Sequence, residues 1–349
     1  MNRKKLLGLT AAATIAAGAV TGLTTSAGAE PTATAAAGSI TGAGSTLMAP
    51  LMAQWQQDFK NKYGTSVTYG AVGSGAGIAQ ITARTVDFGA SDAPLTAAQA
   101  GACNQCFMVP WALTATGIAY HLNGVRGLKL TGPILAGIYL GTITQWNDSR
   151  IKKVNPGKNL PALKITPAFR SDGSGDTYAF TDYLSRISPT WKSRVGNATQ
   201  VSFPAGVGAK GNDGLTAVVT STNGALSYIS ASYIIAHGLG AAALQNRAGK
   251  FVFPNLKNIS AAAAVIKKVP ANNELHIVNP PKKAKLAYPL STFSYAIVPK
   301  VTSKKFVLSQ FLYYAMKQGQ RFGAALDFAP IPKIVNKAGI ATVRKFSAS

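Results

Sequence analysis

The chain has 349 residues, 47% of them apolar and 13% charged, with 35 Gly, 18 Pro and two Cys. That composition supports packed cores and excludes a disordered or collagenous chain. Lys and Arg number 35 against 11 Asp and Glu, a net charge of +24, so anions near the surface feel an attractive field.

Residues 1–29 read as an export signal. Arg3, Lys4 and Lys5 precede an apolar stretch from Leu6 to Val20, and Ala27-Gly28-Ala29 supplies the small residues that signal cleavage needs. No Cys stands near that point for lipid attachment, so the mature chain is expected to be soluble or held to the cell envelope by charge. Residues 30–38 read as a flexible leader. About 320 residues then remain, more than one core usually serves, and two lobes are expected. The lysines are scattered and no helix-turn-helix, zinc-finger or base-stacking motif accompanies them, which argues against a nucleic-acid partner.

In chain order, Ser39–Thr41 is expected as a strand running into the turn Gly42-Ala43-Gly44-Ser45. A helix follows over about 47–62, with Leu47, Leu51, Trp55 and Phe59 on one face and Gly64 as its stop. Val67–Tyr69 is a strand. A second turn, Gly73-Ser74-Gly75-Ala76-Gly77, opens a helix over about 77–84, and Val86–Ala90 is a third strand ending in Ser91-Asp92-Ala93-Pro94. Cys103 and Cys106 read as a local disulfide, since neither a thioredoxin-like context nor two further metal ligands accompany them. Gly117–His121 is a strand, Thr131–Leu140 a helix and Ile165–Phe169 a strand. The last runs into Arg170-Ser171-Asp172-Gly173-Ser174-Gly175-Asp176 and a helix over about 176–186. Helix 214–221, strand Ala225–Ile229, strand Tyr295–Val298 and helix 304–317 complete the pattern, the last carrying Phe306, Leu308, Phe311, Leu312 and Ala315. Gly206, Gly208 and Gly211 match Gly-x-Gly-x-x-Gly, but Pro204 stands where a strand should precede them, so the match reads as chance. The strand–turn–helix rhythm is that of an α/β fold with a helix-covered parallel sheet.

Three of the turns, at Gly42–Thr46, Gly73–Gly77 and Asp172–Gly175, are rich in Gly, Ser and Thr and lie between a strand and a helix. Such junctions present free N–H groups and hydroxyls to an oxyanion. Each alone is also an ordinary helix cap. Arg170 offers a planar fork to an anion. Asp92 suits an anion that still carries a proton, as phosphate does and sulfate does not; a capping role before Pro94 is the alternative.

The runs Thr41-Gly42-Ala43-Gly44-Ser45-Thr46, Thr85 to Leu95 and Arg170 to Gly175 resemble the signatures of the periplasmic phosphate-binding proteins. Ile138 to Gly141 with Trp146, and Gly206 to Gly214, do so too. The resemblance covers nearly the whole mature chain. It implies a periplasmic-binding-protein type II fold, with a hinge and an interlobe ligand cleft. The first lobe would be residues 39–112 plus 287–349 and the second 113–286. It also implies inorganic phosphate as ligand, held by Thr46, the Leu47 N–H, Ser74, Asp92, Arg170, Ser174 and the Gly175 N–H. Asp176 stands where the family commonly has Thr. It is expected to contribute its N–H alone, its carboxylate turned away as a helix-start acid while Thr177 supplies the hydroxyl, or else to act protonated. The expected partner is the membrane permease of a phosphate ABC transporter, with anionic envelope polymers as a further partner for the basic surface. A monomer without cofactor or metal is expected. The alternatives are a binder of another oxyanion such as arsenate, or a phosphatase-like enzyme using Ser174. Against an enzyme, no Gly-x-Ser-x-Gly elbow is present.

Overall fold

The computed structural model describes residues 38–348. The expected signal segment 1–29, and all of the leader 30–38 but its last residue, lie outside them.

The described residues form twelve strands: β1 (Ser39–Gly44), β2 (Ser66–Ala71), β3 (Phe88–Ser91), β4 (Cys106–Tyr120), β5 (Lys129–Leu130), β6 (Thr166–Arg170), β7 (Val207–Ala209), β8 (Ala225–Ser230), β9 (Gly240–Ala241), β10 (Ala243–Gln245), β11 (Phe251–Val252) and β12 (Ser291–Pro299). The large sheet runs β2-β1-β3-β12-β4-β8-β6-β7, with β9 on β4, and a small sheet runs β11-β10-β5. β1, β2 and β3 are mutually parallel, as are β6, β7 and β8. Between these two parallel halves stand β4 and β12, antiparallel to each other and to their outer neighbours β8 and β3.

β4 is buried along nearly its whole length and passes unbroken through position 113. Its first ten residues belong to the β12 ladder and Thr116–Tyr120 to the β8 ladder. Pro110 and Trp111 hide this strand in the sequence. The structure accommodates them with a β-bulge at Trp111 of β4, where the register shifts opposite Ser294 and Tyr295.

Two buried clusters form the interior, one within the first half and one that fills the second half and runs into the first through Ile81, Leu95, Met108 and Tyr295. In the first, Trp55, Phe59, Phe88, Trp111 and Phe311 meet edge-on or tilted, with Trp55–Trp111 centroids 5.4 Å and Phe59–Phe311 centroids 5.1 Å apart. The geometry suits the ring quadrupoles. In the second, Tyr139, Phe180 and Tyr228 pack together, with Phe180–Tyr228 centroids at 4.5 Å. Helix Ala49–Tyr63 shows why these elements form where they do. Pro50 occupies its first turn, Lys60 and Lys62 face its negative end, and Gly64 at φ 70° returns its N–H to the Lys60 carbonyl.

Two readings are corrected here. The helix expected over 77–84 begins at Ser74, because Gly73 at φ 96° makes the turn alone. The helix expected from 214 begins at Gly211, and Val207–Ala209 before it is a strand after all. The glycines at 206 and 208 flank or lie in that strand rather than forming a phosphate turn. In helix Lys305–Met316, Leu308, Phe311, Leu312 and Ala315 are buried, but Phe306 is 77% exposed. At 100° per residue, Phe306 sits about 200° around the helix from Leu308 and cannot share its face.

Candidate anion site

The carboxyl ends of β1, β2, β3, β6, β7 and β8 point to one region, where open α/β sheets place their ligands. β1 delivers Ser45 and Thr46, β2 delivers Ser74, β3 delivers Asp92, β6 delivers Arg170 to Ser174, and β7 delivers Asn212. The structure brings Thr46, Leu47, Ser74, Asp92, Arg170, Ser174, Gly175 and Asp176 together here, all of them buried. Cys103 and Cys106 lie away from the site and are joined by a disulfide.

Contacts cross the region between the two halves. Gly75 N–H donates to the Gly173 carbonyl at 2.9 Å, and Gly175 N–H donates to Ser74 Oγ at 3.1 Å. Thr46 Oγ1 accepts from Asn212 Nδ2 at 2.9 Å. The fit depends on glycine. A Cβ on Gly175 would lie 2.5 Å from Asp92 Cβ, and one on Gly73 would lie 2.4 Å from Asp172 Oδ2. Gly175→Ala is therefore expected to hold the halves apart and weaken ligand binding. Small-angle scattering should show a larger radius for this variant in the presence of ligand; an unchanged radius would contradict the contact.

The charged groups are few and tightly placed. Arg170 is 2% exposed, and its guanidinium grips Asp172 with Nε at 2.7 Å from Oδ1 and Nη2 on Oδ2. Gly211 N–H holds Asp172 Oδ1 from the other side at 3.0 Å. Burial pushes the Asp172 carboxyl up, but the Arg170 hydrogen bonds and charge outweigh it and hold the group below the usual range. Arg170 Nη1 also lies 3.5 Å from Asp176 Oδ2.

Asp176 departs from the expected outward orientation. Its carboxylate faces inward, 1% exposed, accepting from Thr116 Oγ1 at 2.6 Å and from Asn212 Nδ2 at 2.8 Å. Two donors and a cation on this side draw it in. Thr177 has its hydroxyl in contact with the Tyr228 hydroxyl at 2.8 Å instead. Asp92 accepts from Ser45 Oγ through Oδ2, while Oδ1 is buried with no hydrogen-bond partner. Burial, and then the nearby Asp176 carboxylate, push Asp92 up to about 7. Burial pushes Asp176 up as well, against the pull of Arg170, Thr116 and Asn212. Two carboxyls of raised pKa beside one Arg make a site that favours a proton shared with its contents.

The donors sit at helix starts. Ser174 caps helix Gly175–Ile187 by accepting from Thr177 N–H at 3.2 Å, and Ser74 heads helix Ser74–Thr82. Ser45 Oγ accepts from Leu47 N–H at 3.1 Å. A small cavity of about 180 Å³ opens beside Thr46, lined also by Asp172, Lys210 and Asp213. Ser45, Thr116 and Asn212 were missed as members of the site. Asn212 lies in the Gly206–Gly214 run and Ser45 in the first turn, so both carried a local signal; Thr116, inside a long strand, carried none.

A sequence profile for the PBP superfamily domain matches residues 29–318. The chain is 36% identical over 298 residues to the phosphate-binding protein PstS of Xylella fastidiosa (strain Temecula1), covering 84% of this chain and 81% of that one. It is 36% identical over 301 residues to PstS of Pasteurella multocida, covering 85% and 87%. The chain belongs to the PstS family of phosphate-binding proteins. As a family member it shares its fold with solved two-lobed proteins. One is a high-affinity periplasmic phosphate-binding protein, PfluDING, bound with phosphate, at TM-score 0.70 and 20% identity, covering 88% of this chain and 93% of that one. Another is a phosphate ABC transporter substrate-binding protein from Clostridium perfringens, at TM-score 0.62 and 20% identity, covering 84% and 100%. These two likenesses establish the α/β two-lobe fold. The relatives are named for binding a solute and not for a reaction, and the family is a non-enzymatic one.

Proposed function

We propose that the chain binds inorganic phosphate between its lobes and delivers it to the membrane permease of an ABC importer. In this reading the lobes are residues 39–112 plus 287–349 and residues 113–286, with β4 and the segment entering β12 as the crossovers that flex. The protein acts outside the cytoplasm after removal of residues 1–29. Among the described residues no helix is long and apolar enough to cross a membrane.

One observation carries the choice of ligand. Asp92 Oδ1 is a buried acceptor without a donor, in a site that also holds a buried guanidinium. A bound anion that brings its own proton satisfies Oδ1, whereas an aprotic one leaves two acceptors face to face. Arg170 supplies countercharge. The hydroxyls of Thr46, Ser74 and Ser174 and the N–H groups of Leu47, Gly175 and Asp176 are donors set at helix starts, where the peptide dipoles favour an oxyanion. The inward Asp176 adds a second acceptor and makes a more protonated phosphate the better fit. Arsenate would satisfy the same geometry.

Calorimetric titration with phosphate and with sulfate tests the reading. Wild type is expected to favour phosphate by roughly 100-fold or more, the cost of burying an unsatisfied charged acceptor. Asp92→Asn should narrow that gap, because an amide can donate to an aprotic oxygen. Equal affinity for the two anions in the wild type would sink the assignment.

A further inference from the structure

Helix Lys305–Met316 has two faces, and only one belongs to the core. The other carries Phe306, Ser309, Gln310 and Tyr313 at the 3–4 residue spacing that aligns side chains along a helix, and continues to Lys317. With Tyr63 and Tyr314 this face lines an apolar groove of about 540 Å³. Phe306, 77% exposed, stands at its edge. Lys62 reaches over the Tyr63 ring at 5.4 Å. A second groove of about 440 Å³ adjoins the first at Lys317 and is rimmed by Lys333, Lys337 and Arg344.

The linings of the two grooves contain no Asp or Glu. Among the described residues, none of Lys305, Lys317, Lys333, Lys337 and Arg344 forms an ion pair. Asp58 touches the edge of the first groove through the Tyr314 hydroxyl at 2.6 Å, but Arg321 already pairs with it at 2.5 Å. The double groove therefore joins an aromatic floor flanked by Lys305 and Lys317 to an aliphatic one rimmed by Lys317, Lys333, Lys337 and Arg344, five cations without an ion pair among the described residues. It also lies far from the anion site. Tyr63 ends the 15-residue helix whose first turns leave Thr46, which sets the two about 20 Å apart.

We propose that this face binds a polyanionic saccharide chain of the cell envelope, independently of the phosphate cleft. Aromatic faces accept sugar rings, Ser309, Gln310 and Gln318 offer hydroxyl partners, and the lysines match repeated negative charge. An exposed apolar patch bounded by polar groups marks a binding surface, and the strictly positive rim selects an anionic occupant. A lipid surface fits less well, because the aromatic groups line a concavity and only Phe306 projects. A bare polyphosphate would use the lysines and leave the aromatic floor idle.

The test measures binding of the mature chain to dextran sulfate, neutral dextran, inorganic polyphosphate and vesicles of phosphatidylglycerol and phosphatidylcholine, at two salt concentrations. Dextran sulfate should bind, more weakly at high salt, and neutral dextran should not. Lys317→Glu, at the junction of the grooves, should weaken dextran sulfate at least tenfold. Phe306→Ala should weaken it several-fold while leaving polyphosphate binding unchanged. Both positions are exposed, and unchanged phosphate affinity in both variants would show that each folds. Lys267→Glu with Lys268→Glu, outside the grooves, should have little effect. The proposal is overturned if those two changes weaken binding as much as Lys317→Glu, if Phe306→Ala has no effect on dextran sulfate, or if vesicles bind in preference and lose affinity with Phe306→Ala.

Discussion

Arg170→Met is expected to reduce phosphate affinity by at least roughly 1,000-fold and to destabilise the fold by about 3–5 kcal/mol. Arg170 is 2% exposed and is the cation held against both Asp172 and Asp176. Without it, the buried Asp176 and the half-buried Asp172 lose their countercharge, and the site offers an incoming dianion repulsion where it now offers attraction. Truncating one partner of a buried ionic cluster costs more than the pair contributes, because the stranded charge stays desolvated. Denaturant titration would read the stability and calorimetry the affinity. Asp172→Asn in the same background should recover part of the stability, since it removes one stranded charge. A stable Arg170→Met protein with near-wild-type affinity would show that hydroxyls and peptide N–H groups hold the anion unaided.

Phosphate affinity is expected to fall above pH 7, by roughly tenfold per pH unit for each proton taken up on binding. Asp92 titrates near 7 and Asp176 is raised too. Below pH 7 the site and phosphate between them carry the proton that separates the two carboxyls from the ligand. Above it the proton has to be drawn from solvent. Calorimetry in buffers of different ionisation heat would count it directly, and Asp176→Asn should flatten the profile. A flat wild-type profile from pH 7 to 9 would refute this. Stability carries the same sign. Asp92 is raised to about 7 from an ordinary carboxyl value of 3.8, so its contribution is complete below the lower value and is lost as pH rises through the upper one.

The parts of the molecule legible in the sequence were those with a local cause. Gly73, Ser74 and the Asp172–Gly175 run announce strand–helix junctions because their conformations and hydroxyls are needed there whatever surrounds them. The apolar spacing of Leu51, Trp55 and Phe59 marks a helix for the same reason. What was hidden depends on partners distant in the chain. β4 reads as interrupted at Pro110 and Trp111 until it is seen to bulge at Trp111 against a continuous β12, nearly 200 residues later. The direction of the Asp176 side chain is set by Thr116 and Asn212, 60 and 36 positions away, so a helix-start acid could not be told from an inward one. Which of the apolar residues on helix 304–317 are buried follows from angular position, and Phe306, opposite Leu308, is the exposed one.

The location of β12 has a consequence for how the chain reaches its working place. β12 lies between β3 and β4, pairing Ala296 with Ala90 and Val109, and the C-terminal segment carrying Phe311 fills the core around Trp55 and Trp111. The first half therefore cannot complete its sheet or bury its aromatics until residues beyond 290 have been made. Contacts of such long sequence separation form slowly. In the export proposed above, a chain threaded through a translocation pore has to stay unfolded while its leading end waits for the remainder. Placing the keystone strand near the end of the polypeptide builds that delay into the topology.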